Sequence, residues 1–504
     1  MLRLLLAAAV VVAGCPSGAQ ARPNSGATDG SVMDAPRDWS AALETDARAF
    51  HAAIADGHPG MHDPLNPLFA EQVDAALAEA LERASLTRDA GGWWWGLRAL
   101  VARFDDGHVQ VGMTDQTWAA PTRWPGFLTL YRDGFHVVAS RDGADPLAPP
   151  VGARLADCDG VAADDLAQRR VGVFRGRWFL AAQREQWSHW LFLDASNPWI
   201  ERPATCRFHI EGRVRTFDLT WREISPGDLA ERRQVMSRRL RPDFGLARLD
   251  DAAWHVVMPS FDGDPEGEVH ARLSELLAEL SEAQDDVRGA PFVVLDLRGN
   301  GGGSSHWSEL VAQALWGPAW TAAHRPPASE GVDWRASADN IAEIAAFRDQ
   351  LAANGGDSDF IAWAERAVAG MSAARTADLP YWREEVGLDV ASADEPERPV
   401  NPINPVTGRV YVLTDAACAS ACLDAVDLWK ALGAVQVGRE TSADTLYMEL
   451  RQVDLPSGLA RAWVPMKVYR GRARGNNEPH RPAHVFDGDL SDDAALLAWI
   501  RALD

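Results

Sequence analysis

The chain has 504 residues, 47% of them hydrophobic, and carries a net charge of −23 with a pI of about 5.0. That length accommodates several domains with sizeable cores, and the ordinary apolar fraction excludes extensive disorder. The acidic balance argues against a surface for nucleic acid or anionic lipid. Lysine is nearly absent: Lys430 and Lys467 stand alone, and arginine supplies the other side-chain cations.

Residues 1–14 place one arginine ahead of a short apolar run, the form of a secretory signal and too short for a mature spanning helix. Two processing outcomes compete. Val12-Ala-Gly-Cys15 has the form of a lipobox, which would put a lipid on Cys15, whereas Ala19-Gln-Ala21 is an ordinary small-x-small cleavage site closing a signal at 1–21. No later stretch reaches the length of a membrane span. The expectation is an exported protein, in a bacterial periplasm or lipid-anchored to the envelope, that meets the membrane only through an N-terminal lipid. Residues 22–37, rich in Pro, Gly, Ser and Asp, read as a flexible tether. Of the other cysteines, Cys158 and Cys206 fall in one expected domain, and Cys418 and Cys422 flank Ser420 at helical spacing. An exported chain can form disulfides, and buried free thiols are an equal alternative.

From 38 to 118 the pattern is helical, with apolar residues three and four apart across 39–54, 69–86 and 94–104. The region ends in Phe104-Asp-Asp-Gly-His108-Val-Gln-Val-Gly112, where a helix stops and a strand begins. A histidine at such a turn is most often a solvated surface residue. Beside Asp105 and Asp106, His108 also suits a general base. Residues 119–225 change to short alternating strands at 127–131, 135–139, 206–210 and 214–221, around Val151-Gly-Ala-Arg-Leu-Ala-Asp-Cys-Asp-Gly160.

From 226 the pattern becomes α/β. A strand at 254–261 and an amphipathic helix at 267–284 lead to 291–298, the continuous apolar run of a strand buried on both faces. Gly299-Asn-Gly-Gly-Gly303 and a helix at 305–315 follow. Residues 322–400 read as a largely helical insertion without legible chemistry. Then come a strand at 409–413, a helix from 421 to a cap at Gly433, strands at 435–438, 447–455 and 459–469, and a terminal helix at 492–502.

Ser420 therefore sits at a strand-to-helix junction among small residues, near N–H groups that the first helical turn leaves unpaired. By itself it reads as a helix N-cap. Asp296-Leu-Arg-Gly-Asn-Gly-Gly-Gly303 places further N–H groups after a buried strand, as an oxyanion hole requires. A phosphate loop is excluded, because no Lys follows the glycines. Histidines and cysteines lack metal-ligand spacing, so neither metal nor cofactor is expected.

In this order the pieces resemble the tail-specific (C-terminal-processing) serine peptidase family and, within it, the tricorn-like branch. The matching segments are Phe104-Asp-Asp-Gly-His108, the PDZ-like element at 151–160, Asp296-Leu-Arg-Gly-Asn-Gly-Gly-Gly303, Val412-Leu-Thr-Asp with Ala419-Ser420-Ala421, and Asn477-Glu-Pro with Phe486-Asp-Gly488. The resemblance implies an α/β fold: a crotonase-like ββα core at 226–504, an N-terminal helical segment at 38–118 and a small PDZ-like β-rich domain at 119–225. It also implies Ser420 as nucleophile, His108 as base and Glu478 as orienter, with the N–H groups of Ala421 and of Gly302 or Gly303 as oxyanion hole. The family's other solution, a Ser–Lys dyad, meets Thr445 where its Lys belongs. Lys430 shares the helix of Ser420, and Lys467 comes much later. One departure stands out: Gly107 occupies the place of the Ser that precedes the His in the tricorn-like pattern. The implied activity is cleavage of a peptide or unfolded protein. The alternatives are a catalytically degenerate peptide-binding lipoprotein, using the PDZ-like groove by strand addition, and an esterase-type acyl hydrolase on the same core.

Overall fold

The computed structural model describes residues 33, 35–115, 117–236, 242–250, 253–327, 329–384 and 402–503. The expected signal, Cys15 and most of the tether lie outside them. Among the described residues no helix is long and apolar enough to cross a membrane.

The core is a sheet whose order begins with Gly245–Asp250 and continues through Ala253–Val257, Phe292–Asp296, Arg409–Thr414, Val435–Gly438 and His484–Val485. The first strand is antiparallel to its neighbour and the remaining pairs are parallel. Successive strand residues face opposite layers. Val293, Leu295, Val410 and Val412 pack with Leu276, Val311, Leu423 and Trp429 from the helices Glu268–Glu282, His306–His324 and Ala421–Ala431. Phe292, Val294, Tyr411 and Leu413 pack on the other side with Leu496 and Ile500 of the helix Asp493–Arg501. Two covered faces explain why Phe292–Asp296 is buried at every residue and apolar without alternation.

The N-terminal helices Trp39–Gly57, Phe69–Leu86 and Ala90–Ala102 form one apolar cluster. Asp38 and Asp89 cap two of them, accepting from the N–H of Ala41 and of Gly92. The cluster closes against Leu459, Ala460, Ala462 and Val464 of the hairpin Tyr447–Asp454 and Ala460–Arg470. The strand Gln110–Met113, which starts just after His108, pairs along that same hairpin through Gln110↔Trp463 to Met113↔Ala460. His108 is thus delivered by main-chain pairing.

Residues 119–225, likened above to a PDZ domain, hold an antiparallel sheet in the order Phe127–Arg132, Phe135–Arg141, Arg154–Cys158, Thr205–Ile210, Arg213–Asp218. Cys158 and Cys206 face each other in register and are joined by a disulfide, with Cα atoms 4.0 Å apart. The segment 322–400, expected to be largely helical, also carries strands. Its helices Ala338–Ala353 and Ser358–Thr376 are accompanied by the strands Gly331–Arg335 and Tyr381–Glu384, which extend the sheet of Ala460–Arg470. Trp334 is the reason: its ring is fully buried against Met466, Trp363 and Met371, so the segment gains a face only by pairing.

Candidate active site

Ser420 follows the buried strand Arg409–Thr414 and opens the helix Ala421–Ala431. Its backbone has φ 55° and ψ −127°, a region that a side chain with a Cβ adopts only where its surroundings enforce it. One constraint is the Asp444 carboxylate, which accepts the Ser420 N–H at 2.6 Å. Another is a disulfide between Cys418 and Cys422. The Ser420 hydroxyl makes no capping bond to its helix, so it is left for other work.

The glycine-rich loop lies directly on this turn. Gly302 has φ +99°, and a Cβ there would stand 2.6 Å from the Ser420 Cβ and 2.9 Å from the Ala421 nitrogen. Gly303 has φ +133°, and a Cβ there would meet the Phe261 carbonyl oxygen at 2.0 Å. Both positions require glycine on space as well as torsion. The Gly302 N–H is occupied, donating to Asn300 Oδ1 at 2.8 Å. Among the described residues the N–H groups of Gly303 and Ala421 have no acceptor. Asp415 ties the two loops together: its carboxyl oxygens accept from Gly299 N–H and from Ala417 N–H, both at 2.9 Å. Burial pushes this carboxyl up to about 7, against the pull of those two donors.

His108 is buried at the turn before Gln110–Met113. Its backbone N–H donates to Asp106 Oδ1 at 2.7 Å, and its ring Nδ1 lies 3.7 Å from the same oxygen. The other Asp106 oxygen faces His58 Nε2 at 3.9 Å. His58 Nδ1 accepts from Gly60 N–H, so its proton sits on Nε2, toward Asp106. Burial favours neutral Asp106, but His58 and His108 outweigh it and hold the carboxyl below its usual range. Burial likewise lowers His58, with Asp106 opposing.

Hydrogen bonds link this turn to Ser420. The Asp105 carbonyl accepts from Asn477 Nδ2 at 2.9 Å, Asn477 N–H donates to the Asp444 carbonyl at 2.7 Å, and the Asp444 side chain holds Ser420. Arg177 joins from the third side, donating to the carbonyl of Ala443 and taking Asp105 Oδ1 on its N–H. Its guanidinium fills the space a side chain at position 107 would need, 2.7 Å from a Cβ there. Glu478 is exposed, and its Oε2 accepts from Gly475 N–H at 2.7 Å. Among the described residues no hydrogen bond joins the His108 ring to Ser420 Oγ or to Glu478. Lys467 Nζ is buried in an ion pair with Glu449 at 3.2 Å, and Lys430 is exposed on the helix that Ser420 opens.

Asp444, Asp415, His58 and Arg177 escaped the sequence reading. Asp415 directly follows a buried strand and carried a readable signal, since a carboxylate there faces the next loop's N–H groups. The other three come from distant segments and leave no local trace. Among the described residues no group of His, Cys, Asp and Glu is arranged to hold a metal ion.

No curated protein sequence matches the chain. Among solved structures it is similar to mature CPAF, with a TM-score of 0.56 and 12% identity over 92% of this chain and 97% of that one. Mature CPAF complexed with lactacystin gives 0.56 and 13% over 92% and 98%, and a CPAF mutant 0.54 and 12% over 89% and 93%. At such identities these likenesses speak for the fold alone. The model of peptidase family S41 matches residues 255–477, a span that holds the glycine-rich loop and Ser420 but neither His108 nor Glu478. Fold and family model agree, and residues 255–477 are those of a peptidase family S41 member, the tail-specific peptidases.

Proposed function

We propose that this peptidase is an exported serine peptidase acting on peptides or unfolded protein chains, with Ser420 as nucleophile and His108 as general base. The observation that carries the reading is the Ser420 turn. A hydroxyl free of helix capping sits on a strained strand-to-helix junction, against the glycine-rich loop, and among the described residues the N–H groups of Gly303 and Ala421 have no acceptor. Ser420 Oγ attacks the scissile carbonyl as His108 takes its proton, and those two N–H groups hold the oxyanion of the tetrahedral intermediate. Collapse expels the amine, which takes the proton back from His108, and water then resolves the acyl-enzyme. Nδ1 of His108 faces Asp106, which leaves Nε2 to carry the proton. Glu478 is the carboxylate that the family pattern assigns to stabilise the imidazolium, and Asp106 supplies negative charge on the Nδ1 side of the ring.

Replacing Ser420 with Ala is expected to abolish fluorophosphonate labelling and to lower turnover of a denatured-protein substrate by at least about a thousandfold. Wild-type-like turnover in that variant would overturn the assignment. A second reading, a peptide-binding protein without catalysis, draws on Gly107 and on the Glu478 carboxylate engaged with Gly475. Absence of labelling in the wild type would favour it.

A further inference from the structure

The disulfide around the nucleophile has no part in the chemistry above. Cys418 and Cys422 are bridged with Cα atoms 5.3 Å apart, and Ser420 is the middle residue of the ring they close. Both cysteines are fully buried in the apolar cluster that includes Phe261, Trp307 and Trp429. The backbone of Ser420, at φ 55° and ψ −127°, is the strained point of that ring. Inside the ring the main chain adds one short turn, Cys422 N–H to the Ala419 carbonyl at 3.1 Å, and Cys418 N–H reaches back to the Asp415 carbonyl at 3.2 Å.

The two disulfides among the described residues differ in what they can do. The Cys158–Cys206 bridge spans 48 residues, the Cys418–Cys422 bridge 4. A ring this small removes little freedom from the unfolded chain, so its effect on global stability is the smaller of the two. Its effect on the local backbone is large, because it fixes the separation of the residues two before and two after the nucleophile. Without it, relaxation of Ser420 toward ordinary torsions would re-aim its Cβ and Oγ relative to the glycine-rich loop, whose Gly302 lies against the Ser420 Cβ.

We infer that the Cys418–Cys422 disulfide is a positioning device that holds Ser420 in its reactive turn, so that the nucleophile becomes competent only once the chain is oxidised. This rests on the reading of Ser420 as nucleophile. Oxidation needs a disulfide oxidant such as oxidised glutathione. One cysteine thiolate attacks it to form a mixed disulfide and release one glutathione, and the second thiolate displaces the other. Two protein thiols and one oxidant disulfide thereby give one protein disulfide and two glutathione thiols.

The test compares oxidised wild type, a Cys418→Ala/Cys422→Ala variant and a Cys158→Ala/Cys206→Ala control. Readouts are the rate of fluorophosphonate labelling, kcat and KM on denatured casein, and the melting temperature. For Cys418→Ala/Cys422→Ala we expect labelling and kcat to fall by about tenfold or more while KM stays within about twofold. The control variant should lose more melting temperature and less labelling. Unchanged labelling and kcat in folded Cys418→Ala/Cys422→Ala overturn the proposal. If that variant does not fold, Cys158→Ala/Cys206→Ala is folded in reductant and then treated with oxidised glutathione. Labelling that rises on oxidation, at constant circular dichroism, supports the proposal, and labelling indifferent to oxidation overturns it. Absence of labelling in oxidised wild type would remove the nucleophile assignment itself, and this inference with it.

Discussion

Asp415 shows how a single buried carboxyl can set the pH behaviour of the candidate site. Its ordinary value of 3.8 is raised by burial to about 7, so the folded protein keeps a proton that the unfolded chain gives up. The stability this supplies is fully present below about pH 4 and is lost as pH rises through about 7. Chemical denaturation at a series of pH values checks the sign: Asp415→Asn should lose the decline in stability that the wild type shows across that window. Position 107 is the companion case. The tricorn-like pattern has Ser there, and here the Arg177 guanidinium takes up the room, fixed through the Ala443 carbonyl. A departure visible in the sequence thus has a spatial reason that the sequence does not show, because Arg177 belongs to a different part of the chain.

At the scale of elements, the placement of Ser420, the proposed nucleophile, depends on how firmly the helix Ala421–Ala431 is seated. Trp429 anchors it, fully buried, with its indole N–H on the Ser308 carbonyl at 3.1 Å and its ring edge-on to Phe261. Trp429→Ala leaves a large cavity beneath the turn and should cost about 3–5 kcal/mol of unfolding free energy, measured by urea denaturation. Periodicity made this helix legible, as it did Trp39–Gly57, Phe69–Leu86 and Glu268–Glu282. It failed at the helix Ala181–Trp187, where Arg184 and Gln186 face polar partners and the apolar stripe is broken. The helix expected at 305–315 does end there: Gly317 takes φ 76° and ψ 156° ahead of Pro318, and a second helical stretch runs on to His324.

Across the whole molecule, buried charge joins the insertion to the hairpin behind the site. Lys467 pairs with Glu449, and Glu384 of the strand Tyr381–Glu384 adds to the field while accepting from the indoles of Trp334 and Trp363. Burial alone would lower the Lys467 ammonium, yet these carboxylates outweigh it and hold it raised. Lys467→Met strands Glu449 without its cation and should destabilise by about 3–5 kcal/mol in urea unfolding, while adding Glu449→Gln should recover much of the loss. The antiparallel sheet at 127–218 is tied in as well, through Gln183 to Ser442, Gln186 to the Ala416 carbonyl and Arg177 to the Ala443 carbonyl. Every one of these bonds lands on a loop next to Ser420 or its Asp444 anchor.

The amino-acid sequence by itself determined the main elements of the core and the resemblance to the family. Hydrophobic period and glycine placement mark the strand Phe292–Asp296, the loop after it and the junction at Ser420, since these are local consequences of burial and torsion. It also removed the Ser–Lys dyad, by leaving Lys430 and Lys467 in the wrong places. Only the tertiary structure decided who meets whom. Asp444 reaches the Ser420 N–H, His58 stands behind Asp106, Arg177 fills the space at Gly107, and Cys418 is bonded to Cys422. The first three join segments far apart in the chain, where no local pattern constrains the pairing. The fourth was open because i, i+4 cysteines on a helix fit a buried apolar stripe as well as a bond. In the folded chain the two Cα atoms stand 5.3 Å apart across the Ser420 turn, and the sulfurs are bonded.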